Sequence, residues 1–425
     1  MTADAARPFS WRSVILPAYL PTLLFSVGEG AMIPVIPVVA TERGASLALA
    51  GLIAAMLMVG QLLGDLPAGW LVARIGERTA MIGASAVASA GTLLALLVPT
   101  ERALGVGVFL LGLATAVFGL ARHAFLTSHV PARVRARALS TLAGVFRAGW
   151  AVGPFTAAAI IAWTGSAAAV FWVLVISCAA VVVVLLVLPD PETAFGGADR
   201  PQPNPAHGVR HAIVTYREVL ARIGTGVGIL TALRASRTVI LPLWAVSIGM
   251  RPDAAALVIG IAATIDFALF YVSGHVMDRH GRLWSAIPGL VGLSIGHLVL
   301  AFTHDLPTAV AWFTGVAILL GVANGLSSGV VLTVGADLAP KEHPAPFLGA
   351  YRTLADAGQA AAPLAIAAVT SALSIMAASA AMGVVGLAGA AMLWRWIPRY
   401  VPRRPRHPEP DEGERDEGWT PASDT

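Results

Sequence analysis

The sequence predicts an all-α membrane protein whose twelve transmembrane helices form two pseudo-symmetric six-helix bundles. Three observations predict it. The 425 residues are 57% hydrophobic and only 12% charged, with a mean hydropathy of +0.76, whereas an ordinary soluble domain carries about 25% charged residues. The apolar residues gather into runs long enough to cross a hydrocarbon core about 30 Å thick. The two halves of the chain repeat the same motifs. So little charge excludes a soluble enzyme, a disordered chain and a nucleic-acid-binding domain.

The first run, about 14–40, follows a short N-terminal segment, 1–13. No small-residue cleavage site follows it, so it reads as a retained helix, not a signal peptide. Runs at about 46–72, 79–99, 103–126, 140–163 and 167–188 complete a first bundle, 14–188. A polar stretch with Pro189, Pro191, Pro201, Pro203 and Pro205 makes 189–222 a linker. Runs at about 223–249, 255–277, 285–303, 308–335, 347–371 and 374–397 form a second bundle, 223–397. The charged, proline-rich tail, 398–425, reads as disordered.

Arginine placement orients the chain, because cytoplasmic loops collect positive charge. With the N-terminus inside, beside Arg7 and Arg12, the inner loops hold Arg74, Arg78, Arg133, Arg135, Arg137, Arg200, Arg210, Arg217, Arg279, Arg282 and Lys341. The outer loops hold only Arg43, Arg102 and Arg251. Both termini are expected in the cytoplasm, and the alanine- and arginine-rich composition points to a bacterial plasma (inner) membrane. Lys341, the only lysine, follows Pro340, so no Gly-Lys-Ser/Thr phosphate loop exists. With Cys178 as the single cysteine there is no disulfide framework and no Cys/His metal spacing. Neither a metal nor a cofactor is expected.

The halves repeat in detail. Gly69-Trp-Leu-Val-Ala-Arg74-Ile-Gly76 aligns with Gly274-His-Val-Met-Asp-Arg279-His-Gly281 at a shift of 205. That register places Pro37 on Pro242 and Glu29 on Arg234, while Gly149, Gly153 and Pro154 fall on Gly358, Ala362 and Pro363 at a shift of 209. Such a parallel repeat sets a site between the halves near the membrane midplane and moves one half against the other.

At these residues the chain resembles the major facilitator superfamily. That family's loop signature is Gly-x3-Asp-Arg/Lys-x-Gly-x-Arg/Lys. Here it reads Gly69-x3-Ala73-Arg74-x-Gly76-x-Arg78 and, in the second half, Gly274-x3-Asp278-Arg279-x-Gly281-Arg282. Ala73 stands where the family usually has aspartate. Gly28, Pro34 and Pro37 in helix 1, with Gly149, Gly153 and Pro154 in helix 5, resemble motifs of the twelve-helix drug:proton antiporter branch. The third motif of that branch, Arg-x-x-Gln-Gly in helix 4, is Val108-x-x-Leu111-Gly112 here, so its arginine is missing. Arg122 lies about 15 Å further along the helix and does not inherit that role. It reads, with His123, as facing the inner water.

Several charges remain inside the apolar runs, each costing about 2.5–3.5 kcal/mol on insertion scales. They are Glu29, Asp65, Arg122, Arg147, Arg234, Arg237, Asp266, Arg352 and Asp356. The resemblance implies that helices 1, 4, 7 and 10 line the cavity, that 2 lies near 11, and that 5 lies near 8. Glu29, Arg234 and Arg237 then become the proton-coupling or substrate group, with Glu29 as the proton site beside an arginine. Asp65 with Arg352, and Arg147 with Asp266, become ion pairs between the halves; Glu29/Arg234 and Arg147/Asp356 are charge swaps across the pseudo-axis. His297 reads as a packed, hydrogen-bonded histidine. Gly325-Leu-Ser327-Ser-Gly329 mimics a nucleophile elbow, but an apolar helical run is no strand-to-helix turn.

The expected activity is secondary transport: export of a small apolar or amphipathic compound by proton antiport and alternating access. The expected partners are the lipid bilayer, a small-molecule substrate and protons, with no nucleic acid, and the expected state is a monomer. Rival readings are a proton-coupled uptake symporter of the same fold and a non-transporting membrane sensor or intramembrane hydrolase.

Overall fold

The computed structural model describes residues 15–130, 132–188, 213–340 and 344–401. The expectations for 1–13, for Arg200 and Arg210 in the linker, for Lys341 and for the tail lie outside the described residues. The described residues fold into twelve long helical spans, many of them starting and ending at a strong local signal. They are α1 (Leu16–Glu42), α2 (Leu47–Ile75), α3 (Glu77–Leu97), α4 (Glu101–Thr127), α5 (Arg137–Thr164), α6 (Ala168–Val187), α7 (Arg217–Ser247), α8 (Pro252–His280), α9 (Leu283–Thr303) and α10 (Ala309–Leu338). Then come α11 (Pro344–Ala372) and α12 (Ile375–Tyr400). Ser46, Thr100 and Ser374 cap α2, α4 and α12 through side-chain oxygens that accept from Leu49, Ala103 and Ala377 amides. α7 begins at Arg217, inside the stretch read as linker.

Eleven of these helices are long and apolar enough to cross a membrane. The other, α11, is 29 residues long and carries Arg352, Asp356 and Gln359 in its first half. It packs on α7 and α12 of its own half and on α2 of the other, and its Arg352 is exposed at the arginine-rich end, where a charge is tolerable.

The repeat read from sequence is present in the backbone. Gly76 and Gly281 end α2 and α8 with φ of 82° and 95°, and Gly44 and Gly249 turn at 91° and 66°. Both pairs are 205 residues apart (281 − 76 and 249 − 44). A side chain at Gly76 or Gly281 would strain the left-handed turn that stops the helix. Packing repeats too. α1 lies on α5 and α6 as α7 lies on α11 and α12; α2 lies on α4 as α8 lies on α10. The first of these joints is a close glycine contact. A Cβ at Gly149 would strike Ser26 and Val27, and one at Gly153 would strike Gly30 and Ala31. Gly358 and Gly228 repeat this approach between α11 and α7. Lipid is as apolar as leucine, so such close van der Waals fit holds membrane helices together.

Gly69 and Gly274 stand in open surroundings. A Cβ would find only Leu120 at 3.8 Å from the first and nothing within 4 Å of the second. The sharp turns are made by Gly76 and Gly281, further along the same motif.

The halves meet along α5 with α8 and along α2 with α11, each the pseudo-symmetry mate of the other. At the end carrying Gly44 and Gly249 the closure is tight. The outer part of α1 packs on α7, and Val35, Ile36, Val39, Ile240, Leu243 and Trp244 are all buried. At the arginine-rich end Asp65, His123 and Arg352 are exposed, so the interface opens toward that end.

Two spans are interrupted. Pro34 and Pro37 remove amide donors, and α1 passes through a 3-10 turn at Ile33–Val35. α10 breaks at Ser327–Gly329, with Gly329 at φ 80°, before resuming at Val330. The Gly325–Gly329 segment is therefore not a continuous helix as expected. Its freed carbonyls are bonded: Ser273 donates to Leu326 O at 2.8 Å and Ser328 O at 2.5 Å, and Ser285 donates to Leu326 O as well. Ser327 and Ser328 donate to Asn324 O, which spends both hydroxyls on the break.

Candidate functional site

Two polar groups occupy the middle depth of the molecule, one in each half. The first is built on α1, α4 and α5. Glu29 is 1% exposed. Its Oε1 accepts from Thr115 at 2.8 Å and its Oε2 from the Trp150 indole at 2.9 Å. Close packing places these donors, since Gly30 lets the Trp150 backbone approach α1. One helical turn below, Phe25 stacks on Phe118 at 4.3 Å. Arg122 lies two turns from Thr115 on the same face of α4. Its guanidinium sits 4.7 Å from the Phe146 ring centre, and it is the cation that faces Glu29 electrostatically.

Two expectations are corrected here. Glu29 does not lie beside Arg234 or Arg237: it points back into its own bundle, where α4 and α5 supply its donors. Arg122 does not face the inner water. It is 8% exposed, held between Phe146 and the interior. Nothing in the motif arithmetic could reveal this, because Arg122 occupies no family position; its seven-residue spacing from Thr115 was the available signal.

The second group is built on α5, α7, α8 and α10. Asp266 is its hub. Arg147 donates Nη1 to Oδ1 at 3.0 Å. Arg237 donates Nη2 to Oδ2 at 3.1 Å, and Asn324 donates Nδ2 to the same oxygen at 2.7 Å. Asn324 then accepts from Arg234 Nε at 3.0 Å through its Oδ1. Arg147 and Asp266 meet across the halves, as the sequence suggested. Asn324 aligns with Thr115 at the shift of 209 (324 − 115). Each bundle thus bonds its mid-depth ionised residue, Glu29 or Arg234, to a polar residue at the equivalent place in α4 or α10. Asn324, being uncharged, was not among the candidate site residues singled out from the sequence; the repeat register would have paired it with Thr115.

Asp65 and Arg352 form no ion pair among the described residues. Arg352 is 77% exposed on its side chain and leans on Asp356 of its own helix, Nε to Oδ2 3.7 Å. The reason is the opening at this end, which leaves both partners in water. Arg147 and Asp356 remain equivalent by register, but only Arg147 is in the central group.

The loop signatures are peripheral and unequal. Arg74 covers Trp70 at 5.1 Å, and Arg78 donates to Leu186 O at 3.2 Å. In the second half Arg282 bonds Asp337 at 2.8 Å and pairs with Asp278 at 3.5 Å. The hydrogen bonds Arg282 donates to Asp337 raise the guanidinium pKa above its usual value. Arg279 is exposed. Asp337 was missed because its role depends on the fold of α10. His297 is packed as expected: fully buried, with Nδ1 near Leu293 O at 2.9 Å and Nε2 near Ser236 at 2.8 Å. Among the described residues no cluster of three metal-ligating side chains occurs.

Two repeated bundles with a polar interior between them and an interface open at one end match the architecture of membrane transporters built from parallel repeats. Comparison with known proteins gives the family. The sequence profile of the Major Facilitator Superfamily matches residues 19–354 and 223–423, and the chain belongs to that superfamily. It is a multi-pass secondary transporter. Solved structures share the fold at low identity. A D-xylose-proton symporter is 16% identical, with a TM-score of 0.70 over 92% of this chain and 98% of that one. A POT family transporter in complex with 5-aminolevulinic acid is 11% identical, with a TM-score of 0.73 over 92% and 96%. A bacterial homolog to human lysosomal transporter Spinster is 13% identical, with a TM-score of 0.69 over 91% and 96%. No curated protein matches the chain by sequence.

Proposed function

We propose that this transporter exports a small amphipathic compound from the cytoplasm in exchange for protons, by alternating access through the interface of its two bundles. The observation that supports the reading is Glu29: a carboxylate at mid-depth, out of water, held by two neutral donors and faced by Arg122. Such a carboxylate can take a proton without losing its place, because Thr115 and Trp150 hold either form. Opposite exposure in the two states then loads and unloads it. The antiporter-like glycines and proline at Gly149, Gly153 and Pro154 favour export. With the arginine-rich end in the cytoplasm, the structure is the inward-open state.

The energetics suffice. One proton crossing ~150 mV releases ~3.5 kcal/mol, which sustains roughly a 300-fold gradient of a neutral compound. The test uses a compound whose export ceases when the protein is removed from cells. Everted vesicles should accumulate it when respiration acidifies their lumen. Uptake by right-side-out cells instead, without accumulation in everted vesicles, would establish the symport reading in its place.

A further inference from the structure

The two polar groups differ in charge balance. Glu29 and Arg122 cancel. Around Asp266 stand Arg147, Arg234 and Arg237, three cations and one carboxylate, a net charge of +2 (3 − 1). Arg147 and Arg237 are ion-paired to Asp266, which is the one carboxylate bonded to them among the described residues. Arg234 is in electrostatic reach of Arg147, Arg237 and Asp266 together. The carboxylates Asp65 and Asp356 belong to the open end, beside the exposed Arg352.

The hydrogen bonds show the same excess. A guanidinium offers five N–H donors. Arg237 is 8% exposed, and its Nε is buried with no acceptor. Arg234 gives Nε to Asn324, and its two terminal nitrogens have no other acceptor among the described residues. Asp266 already accepts three bonds. Adjacent arginines repel, and burying unpaired ones is strongly unfavourable at this depth. A purely structural network would have supplied a second carboxylate.

We infer that the compound this site takes carries an oxyanion, a carboxylate or phosphate group, which docks on the forks of Arg234 and Arg237 beside Arg147. The inference rests on the transporter reading and names its substrate class. Guanidinium forks match such groups with two parallel bonds. An apolar remainder would extend toward the open end of the interface. An anion leaving an inside-negative cell is also driven by the membrane potential itself, so exchange for protons draws on both gradients.

The inference is tested by binding, without any gradient. Full-length protein in lipid nanodiscs is unfolded thermally at constant ionic strength with benzoate, benzamide, benzamidinium or inorganic phosphate. The first three share one ring and carry charges of −1, 0 and +1. Benzoate or phosphate should raise the unfolding temperature, and benzamide and benzamidinium should not. Arg234→Gln keeps a partner for Asn324 and leaves Asp266 its three bonds, so it should fold; it should weaken the anion response by roughly tenfold or more. Arg352→Gln should leave the response intact. Equal responses to all three ring compounds, no response to either anion, or an anion response unchanged in both Arg234→Gln and Arg237→Gln would overturn the inference. The last result would assign the anion to surface arginines such as Arg222, Arg395 and Arg399, which surround Trp396. Failure of proton exchange in flux assays leaves this outcome untouched, so the two readings stand or fall separately.

Discussion

Arg147 reaches Asp266 across the boundary between the two bundles, with Nη1 3.0 Å from Oδ1. The other partners of that carboxylate, Arg237 and Asn324, belong to its own half. Rocking the halves apart at this depth therefore breaks one bond of the three. The remaining two bonds come from its own half and would stay with Asp266.

That inequality predicts different costs. Asp266→Asn should destabilise the protein by about 3–5 kcal/mol, because it removes the carboxylate that is ion-paired with both Arg147 and Arg237. Arg147→Gln should cost about 1–2 kcal/mol, since two donors still hold Asp266. Thermal unfolding of the purified variants decides. Equal losses would mean that Asp266 serves Arg147 alone.

The repeat and the helices were legible because they are written in local chemistry. Glycine at 76 and 281 stops a helix wherever it occurs in this motif, and a shift of 205 is countable. The partnerships were less legible. Arg147 with Asp266 followed from depth along two helices that the repeat sets side by side. Glu29 with Arg122 did not, because a helix position gives depth and face but not the rotation of the whole helix in its bundle. That rotation is fixed by Gly149 and Gly153 against α1, a tertiary fact. Asp65 with Arg352 failed for another reason. Depth placed them together, but the open end leaves both side chains exposed, and Arg352 leans on Asp356 of its own helix.

The asymmetry of closure is open to labelling. Cys178 is buried and is the only cysteine, so Cys178→Ala gives a clean background. On it, Arg352→Cys and Asp65→Cys should react with a membrane-impermeant maleimide from the arginine-rich side, whereas Ile240→Cys, fully buried at the other end, should not. Added substrate that closes the open end should slow the first two. Rapid labelling at 240 from the opposite side would show that the resting state faces the other way.

Two glycines of the first bundle give a matched test of packing. Gly153→Ala drives a Cβ into the Gly30–Ala31 backbone, which cannot yield as a side chain would, so a loss of about 1–3 kcal/mol is expected. Gly83→Ala, where a Cβ would meet nothing within 4 Å, should be neutral or stabilising by about 0.5–1 kcal/mol, because alanine favours the helix. Melting of both variants in one detergent checks the sign. A harmless Gly153→Ala would show that α1 and α5 are further apart than described.

The neutral pair makes the sharpest prediction. Glu29 and Arg122 face each other without sharing a hydrogen bond, each held by other groups: Thr115 and Trp150 for the carboxylate, the Phe146 ring for the guanidinium. Glu29→Gln leaves a buried cation with no counter-charge, and Arg122→Leu leaves a buried carboxylate in the same condition. Each should lower stability, and the double variant should recover about 1–2 kcal/mol of the summed loss. Proton movement behaves differently. If Glu29 carries the proton, substrate-induced pH change in proteoliposomes vanishes in Glu29→Gln and stays absent in the double variant, although the fold has recovered. Stability rescue accompanied by restored proton movement would move the carrier role to another residue, and the next candidate is Asp266, the only other buried carboxylate among the described residues.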